Sequence, residues 1–147
     1  MNRTYLLPVF ATVTALGSAC GSSIEGSWDL TERVYDGTTY AYPYTTTEVD
    51  DGVTYTYTTA ISMLVNADET VSLTATYTYS VAGESGNTET DDVERTTYSG
   101  AWSKGDNKTY AIVFDEDWLS VTCTLEDGDL DCDDGAGLQL LFSPADE

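Results

Sequence analysis

The chain has 147 residues, of which 26 are Asp or Glu and 5 are Lys or Arg, giving a formal net charge of −21, and it contains no histidine. That length fits one domain with its own core. The charge repels nucleic acid, and without histidine neither a Ser-His-Asp nor a Cys-His arrangement exists.

The first elements are a basic start and a short apolar run. Arg3 is followed by Leu6–Leu16, 11 uncharged and mostly apolar residues, and by the small residues Gly17, Ser18 and Ala19. Charge, apolar stretch and small-residue site together make a secretory signal peptide over residues 1–19. The run is too short for a membrane span, which needs roughly 20 apolar residues. Leu16-Gly17-Ser18-Ala19-Cys20 resembles the lipobox of bacterial lipoproteins. The resemblance implies cleavage before Cys20 and a lipid on that cysteine, with residues 20–25 as a short tether and 26–147 as the domain. It also implies a cell-envelope location. Gly21, in place of Asp, resembles outer-membrane sorting where the host has two membranes. A cut by an ordinary signal peptidase after Ala19 would leave the same cysteine unmodified. Cysteine arithmetic favours the lipid, because Cys20 is left over once the other two of the three cysteines pair.

Removing 19 of the 147 residues takes away only one charged side chain, Arg3, so the remaining 128 residues carry −22. A lipid would hold this domain to a membrane while its charge keeps it off anionic head groups.

At the start of the domain, Gly26-Ser27-Trp28 resembles the Gly-x-Trp opening of lipocalins and lipocalin-like lipoproteins, and Gly100-Ala101-Trp102 repeats the spacing. The resemblance implies an antiparallel barrel closed at one end by the Trp.

Period-two patterns follow through most of the chain. Tyr40, Tyr42 and Tyr44 alternate, with Pro43 marking an edge or a bend. Over Val53–Val65 the odd positions include Tyr55, Tyr57, Ile61 and Met63. Over Val71–Val81 they include Leu73, Tyr77 and Tyr79. The even positions are mostly Thr, Ser and Ala. Tyr110, Ile112 and Phe114 make another inward row, and Leu138, Leu140 and Phe142 the last. Asp50-Asp51-Gly52, Asn66–Thr70, Lys104–Lys108 and Asp115–Asp117 are short breaks, and Gly83–Asp92 is the longest loop. Short connections between successive strands imply antiparallel neighbours. Eight or nine strands of this kind predict an all-β antiparallel meander, either strongly curved or closed into a small barrel, and the resemblance implies the closed, lipocalin-like form.

Asp127-Gly128 is a two-residue type I′ turn signal. Centring a hairpin there puts Leu125 opposite Leu130 and Cys123 opposite Cys132. That position is non-hydrogen-bonded, where strands approach closely enough for a disulfide. An exported protein meets an oxidising compartment. The short loop makes the stabilisation modest, about 2 kcal/mol.

Asp129, Asp131 and Asp133 on this hairpin suggest calcium, but the stretch fails the EF-hand template. Alternate strand residues lie about 6.6 Å apart, so a solvated acidic face is the expected state. No metal, cofactor or catalytic residue is expected, and the chain reads as non-enzymatic. The aromatic residues Trp28, Tyr55, Tyr57, Tyr77, Tyr79, Trp102 and Tyr110 are the candidates for lining a ligand cavity, with apolar walls and hydroxyl handles. They can equally fill the interior, since an eight-stranded barrel is just wide enough for either outcome. Three readings follow: a binding module for a small apolar ligand, an acidic interaction or inhibitor module that captures a cationic protein, or an envelope protein with no dedicated ligand. Small barrel lipoproteins that inhibit lysozyme resemble the second plan in anchor, disulfide and size.

Overall fold

The computed structural model describes residues 23–83 and 88–146. The expected leader, Cys20 and the first residues of the expected tether lie outside the described residues. Ten strands run in chain order: β1 (Gly26–Tyr35), β2 (Thr38–Ala41), β3 (Tyr44–Asp50), β4 (Val53–Val65), β5 (Thr70–Ala82), β6 (Thr88–Lys104), β7 (Thr109–Phe114), β8 (Ser120–Glu126), β9 (Asp129–Asp133) and β10 (Leu138–Pro144). All neighbours are antiparallel, in the order β2-β1-β10-β9-β8-β7-β6-β5-β4-β3, and β1 also pairs with β4. Eight strands therefore close a lipocalin-like barrel, and β2 and β3 are additional to it.

Closure is confined to one end. β1 and β4 pair only from Gly26↔Val65 to Asp29↔Ser62. Beyond that point β1 pairs with β2 over Glu32–Tyr35, and β4 pairs with β3 over Val53–Thr59. The seam thus forks. Thr31 sits at the fork, where its carbonyl accepts the Tyr42 amide at 2.9 Å and its hydroxyl donates to the Leu141 carbonyl at 3.1 Å. The chain crosses from β2 to β3 at a cis Tyr42-Pro43 bond, which is the bend expected at Pro43.

β4, β5 and β6 are far longer than β7–β10. β6 pairs with β7 only over Gly100–Lys104, so the sheet β3-β4-β5-β6 continues past the barrel as an open arm. The seven residue pairs of β3 with β4 make this arm about 20 Å long. β6 starts at Thr88, so Thr88–Asp92, expected to lie in a loop, belong to a strand.

The closed end is packed solid. Tyr110, Ile112, Cys123, Leu130 and Cys132 have no exposed surface, and Phe114 and Phe142 almost none. Ile24, read as tether, is fully buried too. The Trp28 indole N–H donates to its carbonyl at 2.8 Å, so the packed body begins two residues before β1. Gly100 is needed for the tight coil between β6 and β7: a Cβ there would lie 2.5 Å from the Val113 carbonyl oxygen and 2.8 Å from Phe114 Cα.

The β8–β9 hairpin has the predicted register, Leu125↔Leu130 and Cys123↔Cys132. Asp127 and Gly128 both take positive φ, as a type I′ turn demands. Cys123 and Cys132 form a disulfide with their Cα atoms 3.9 Å apart. Asp36-Gly37 and Asp51-Gly52 repeat the turn with the same sign of φ.

Candidate functional site

The open end of the barrel holds a cavity of about 380 Å³. Its floor and walls are Leu30, Ile61, Leu73, Leu140 and Phe142, and its rim carries Arg33, Tyr35, Trp118, Leu119, Asp134 and Leu138. The volume lies within the range of about 300–1,000 Å³ found for small-molecule sites. Apolar walls with a few polar groups at the rim are the usual composition of such sites.

Each wall residue reaches the cavity through the strand period. Ile61 and Leu73 stand on the inward rows of β4 and β5, one step above the buried Met63 and Val71. Leu138, Leu140 and Phe142 form the inward row of β10. On β1 the parity changes. The register with β10 shifts between Leu30 and Glu32, so Thr31 is a bulged residue. Leu30 lies opposite Phe142, while Arg33 lies opposite Leu140 and Tyr35 opposite Leu138. The bulge turns Arg33 and Tyr35 inward, where an unbroken alternation would have left them outside.

The Arg33 guanidinium stands over the Tyr35 ring at 5.4 Å and near the Tyr40 ring at 6.0 Å. Trp118, in the turn after the 3-10 segment Asp115–Asp117, packs on Tyr98 at 4.4 Å and Phe114 at 5.6 Å between ring centroids. It nevertheless keeps 47% of its surface exposed. Asp134 is the one acid on the rim. Its Oδ1 accepts the amides of Ala136 at 2.7 Å and Leu138 at 3.0 Å. These amides hold the carboxyl below its ordinary value of 3.8.

None of the seven aromatic residues singled out from the sequence lines this cavity. Trp28 and Tyr110 are buried in the closed-end core. Burial raises the pKa of the Tyr110 phenol above the usual value. Trp102 is half-buried beside them, 6.0 Å from Tyr110, with its indole N–H donating to the Asn66 carbonyl at 2.8 Å. These three groups build the closed end.

Tyr55, Tyr57, Tyr77 and Tyr79 share one face, as expected, but that face is not enclosed. It continues the barrel's inner surface onto the arm, where no opposite wall among the described residues covers it, and Tyr57 and Tyr77 remain about half exposed, at 46% and 45%. Tyr79 packs between Tyr55 at 6.2 Å and Tyr57 at 5.1 Å. Glu48 lies opposite Tyr55, Asp92 opposite Tyr79 and Glu94 opposite Tyr77. Carboxylates therefore flank the aromatic strip on both sides. The reverse face is hydroxyl-rich, with the Thr45–Thr58 and Thr74–Thr97 side chains bonded across strands at 3.1 Å.

On the outer face of the disulfide hairpin, the Asp131 carboxylate accepts the Gln139 side-chain amide at 2.9 and 3.0 Å. Asp133 accepts the Gly135 amide. Among the described residues no three acids or cysteines converge on one point.

The sequence pattern missed Arg33 and Trp118. Arg33 reads as an outward residue unless the bulge is known, and Trp118 follows three acids in what reads as a polar break. The signal that remains legible is Trp118-Leu119 itself, an apolar pair inside a turn. Comparison of the chain with protein-family models, with curated proteins and with solved structures finds no match.

Proposed function

We propose that this protein is a non-enzymatic binding module of the bacterial cell envelope, anchored through a lipid on Cys20, that takes a small apolar or amphipathic ligand in the mouth of its barrel. The observation that carries the reading is the apolar mouth cavity above a filled closed end. The two halves of the barrel have different jobs. The closed end supplies stability, and the mouth is left open where the fork of β1 and β4 keeps the walls apart.

Ile24 and the mouth lie at opposite ends of the barrel. β1 begins beside the buried Ile24 at the closed end and runs to Tyr35 at the rim. A lipid four residues before Ile24 would set the closed end against the bilayer and point the mouth and the arm away from it. An apolar dye whose emission rises in apolar surroundings tests the binding half. Dye uptake by the wild-type protein, abolished by Ile61→Trp, supports the reading, and no uptake refutes it. Metabolic labelling with a fatty acid tests the anchor. Label lost in Cys20→Ser supports it, and an unlabelled wild-type protein refutes it.

The arm favours a second reading, capture of a cationic protein segment. Exposed tyrosine faces attract Lys and Arg, and Glu48, Asp92 and Glu94 beside them add charge complementarity. Salt-sensitive binding of an Arg-rich peptide, lost in Tyr57→Ala with Tyr77→Ala, would support this reading. Binding unaffected by those changes would exclude the arm.

A further inference from the structure

We infer that the ligand of the mouth cavity is a single-chain amphiphile with an anionic head, its chain against Ile61, Leu73, Leu140 and Phe142 and its head on the Arg33 guanidinium. The inference rests on the mouth-cavity reading above and adds the chemical class of the ligand.

Arg33 is the one cation among the residues lining the cavity. Acids outnumber bases by 26 to 5 in this chain, so a guanidinium finds carboxylate partners easily on the surface. Arg33 has none: among the described residues its interactions are the two tyrosine rings, and it forms no ion pair. Asp134, the acid on the same rim, has its Oδ1 turned to the amides of its own turn. Neither ring contact is a hydrogen bond, so the guanidinium N–H donors have no protein acceptor among the described residues. A guanidinium presents its donors in a planar fork suited to a carboxylate or a phosphate.

The position of the charge matters as much as its sign. The bulge at Thr31 brings Arg33 inward one step above the apolar floor formed by Leu30 and Phe142. A chain buried on that floor would end at the level of Arg33. A wholly apolar ligand would leave the guanidinium beside it without a partner, and a cationic head would be repelled. The net charge of the protein disfavours anions at long range. At physiological ionic strength the screening length is about 8 Å, so contact with Arg33 outweighs the more distant carboxylates.

The test compares four ligands with one chain length, decanol, decanoate, decyl phosphate and decyltrimethylammonium, each below its micelle concentration. The protein carries Cys20→Ser so that no covalent lipid competes for the mouth. Binding is read by calorimetry in the otherwise wild-type protein, in Arg33→Gln and in Arg33→Lys. The inference expects decanoate or decyl phosphate to bind about tenfold or more tighter than decanol, the scale of one charge-assisted hydrogen bond. Arg33→Gln should remove that advantage while leaving decanol within about twofold, and Arg33→Lys should restore part of it. The two anions distinguish a fatty-acid head from a phosphate head. Decanol binding as tightly as both anions, or Arg33→Gln weakening all four ligands alike, would overturn the inference and leave the cavity reading standing. Binding of none of the four would overturn the cavity reading itself.

Discussion

Leu30 and Arg33 both face the barrel interior although they stand three positions apart on one strand. The extra residue, Thr31, is held on both sides, by the Tyr42 amide and by the Leu141 carbonyl. The bulge stands where the pairing of β1 with β4 has ended, and it puts a cation at the rim of an apolar cavity. Deleting Thr31 should return β1 to plain alternation and turn Arg33 outward. The Arg33-dependent preference for anionic ligands should then vanish, while uptake of neutral ligands persists if the fork survives. A retained preference would show that the bulge does not set the orientation of Arg33.

Tyr110 and Tyr57 test the division between a filled end and an open arm. Tyr110 has no exposed surface, so Tyr110→Ala should cost about 3–5 kcal/mol in denaturant unfolding. Tyr57 is 46% exposed and loses chiefly its contact with Tyr79, so Tyr57→Ala should cost about 1 kcal/mol. Equal costs would mean that the arm is enclosed or that the closed end is loosely packed.

The sequence makes this division only half legible. Period-two alternation in Val53–Val65 and Val71–Val81 assigns the correct face to each residue, because parity is local. It says nothing about where an opposite wall ends. Met63 and Val71 are buried while Tyr57 and Tyr77, in the same rows, are exposed, because the strands outrun β7–β10. The disulfide was legible, since Asp127-Gly128 sets the register over only a few residues. Arg33 was not, since a bulge depends on the partner strand.

Gly100 is required by a backbone approach, not by a turn. Gly100→Ala should cost about 2 kcal/mol, the usual penalty for forcing an extra methyl group into a packed site. Gly83→Ala, where a Cβ meets no described residue within 4 Å, should be near neutral. Thermal unfolding of both variants checks the contrast, and a neutral Gly100→Ala would contradict the close approach of β7.

The Cys123–Cys132 bridge closes a separation of nine residues. Replacing both cysteines with Ala should lower stability by about 2 kcal/mol without unfolding the domain. Mass spectrometry of a non-reduced digest should find the two peptides joined. Two alkylatable thiols at these positions would refute the pairing.

Asp134 gives a pH dependence whose sign follows from its amide partners. Its folded-state pKa lies below the unfolded value near 3.8, chiefly through the Ala136 amide. Its stabilisation is therefore complete above the unfolded value and is lost as pH falls through the folded one. Carboxyl NMR should show Asp134 titrating below 3.8, with exchange of the Leu138 amide rising as it protonates. Titration at or above 3.8 would mean that the turn does not hold the carboxylate.

The claim on which the rest depends is that the mouth is open to ligand and the closed end is not. The three tryptophans report on it separately, because Trp28 and Trp102 belong to the closed end and Trp118 stands on the rim. Their indole N–H resonances should be followed while decanoate is added. The account predicts a saturable shift of the Trp118 signal, with Trp28 and Trp102 unmoved. A shift of Trp28 or Trp102 without Trp118, or no shift at all, would contradict it.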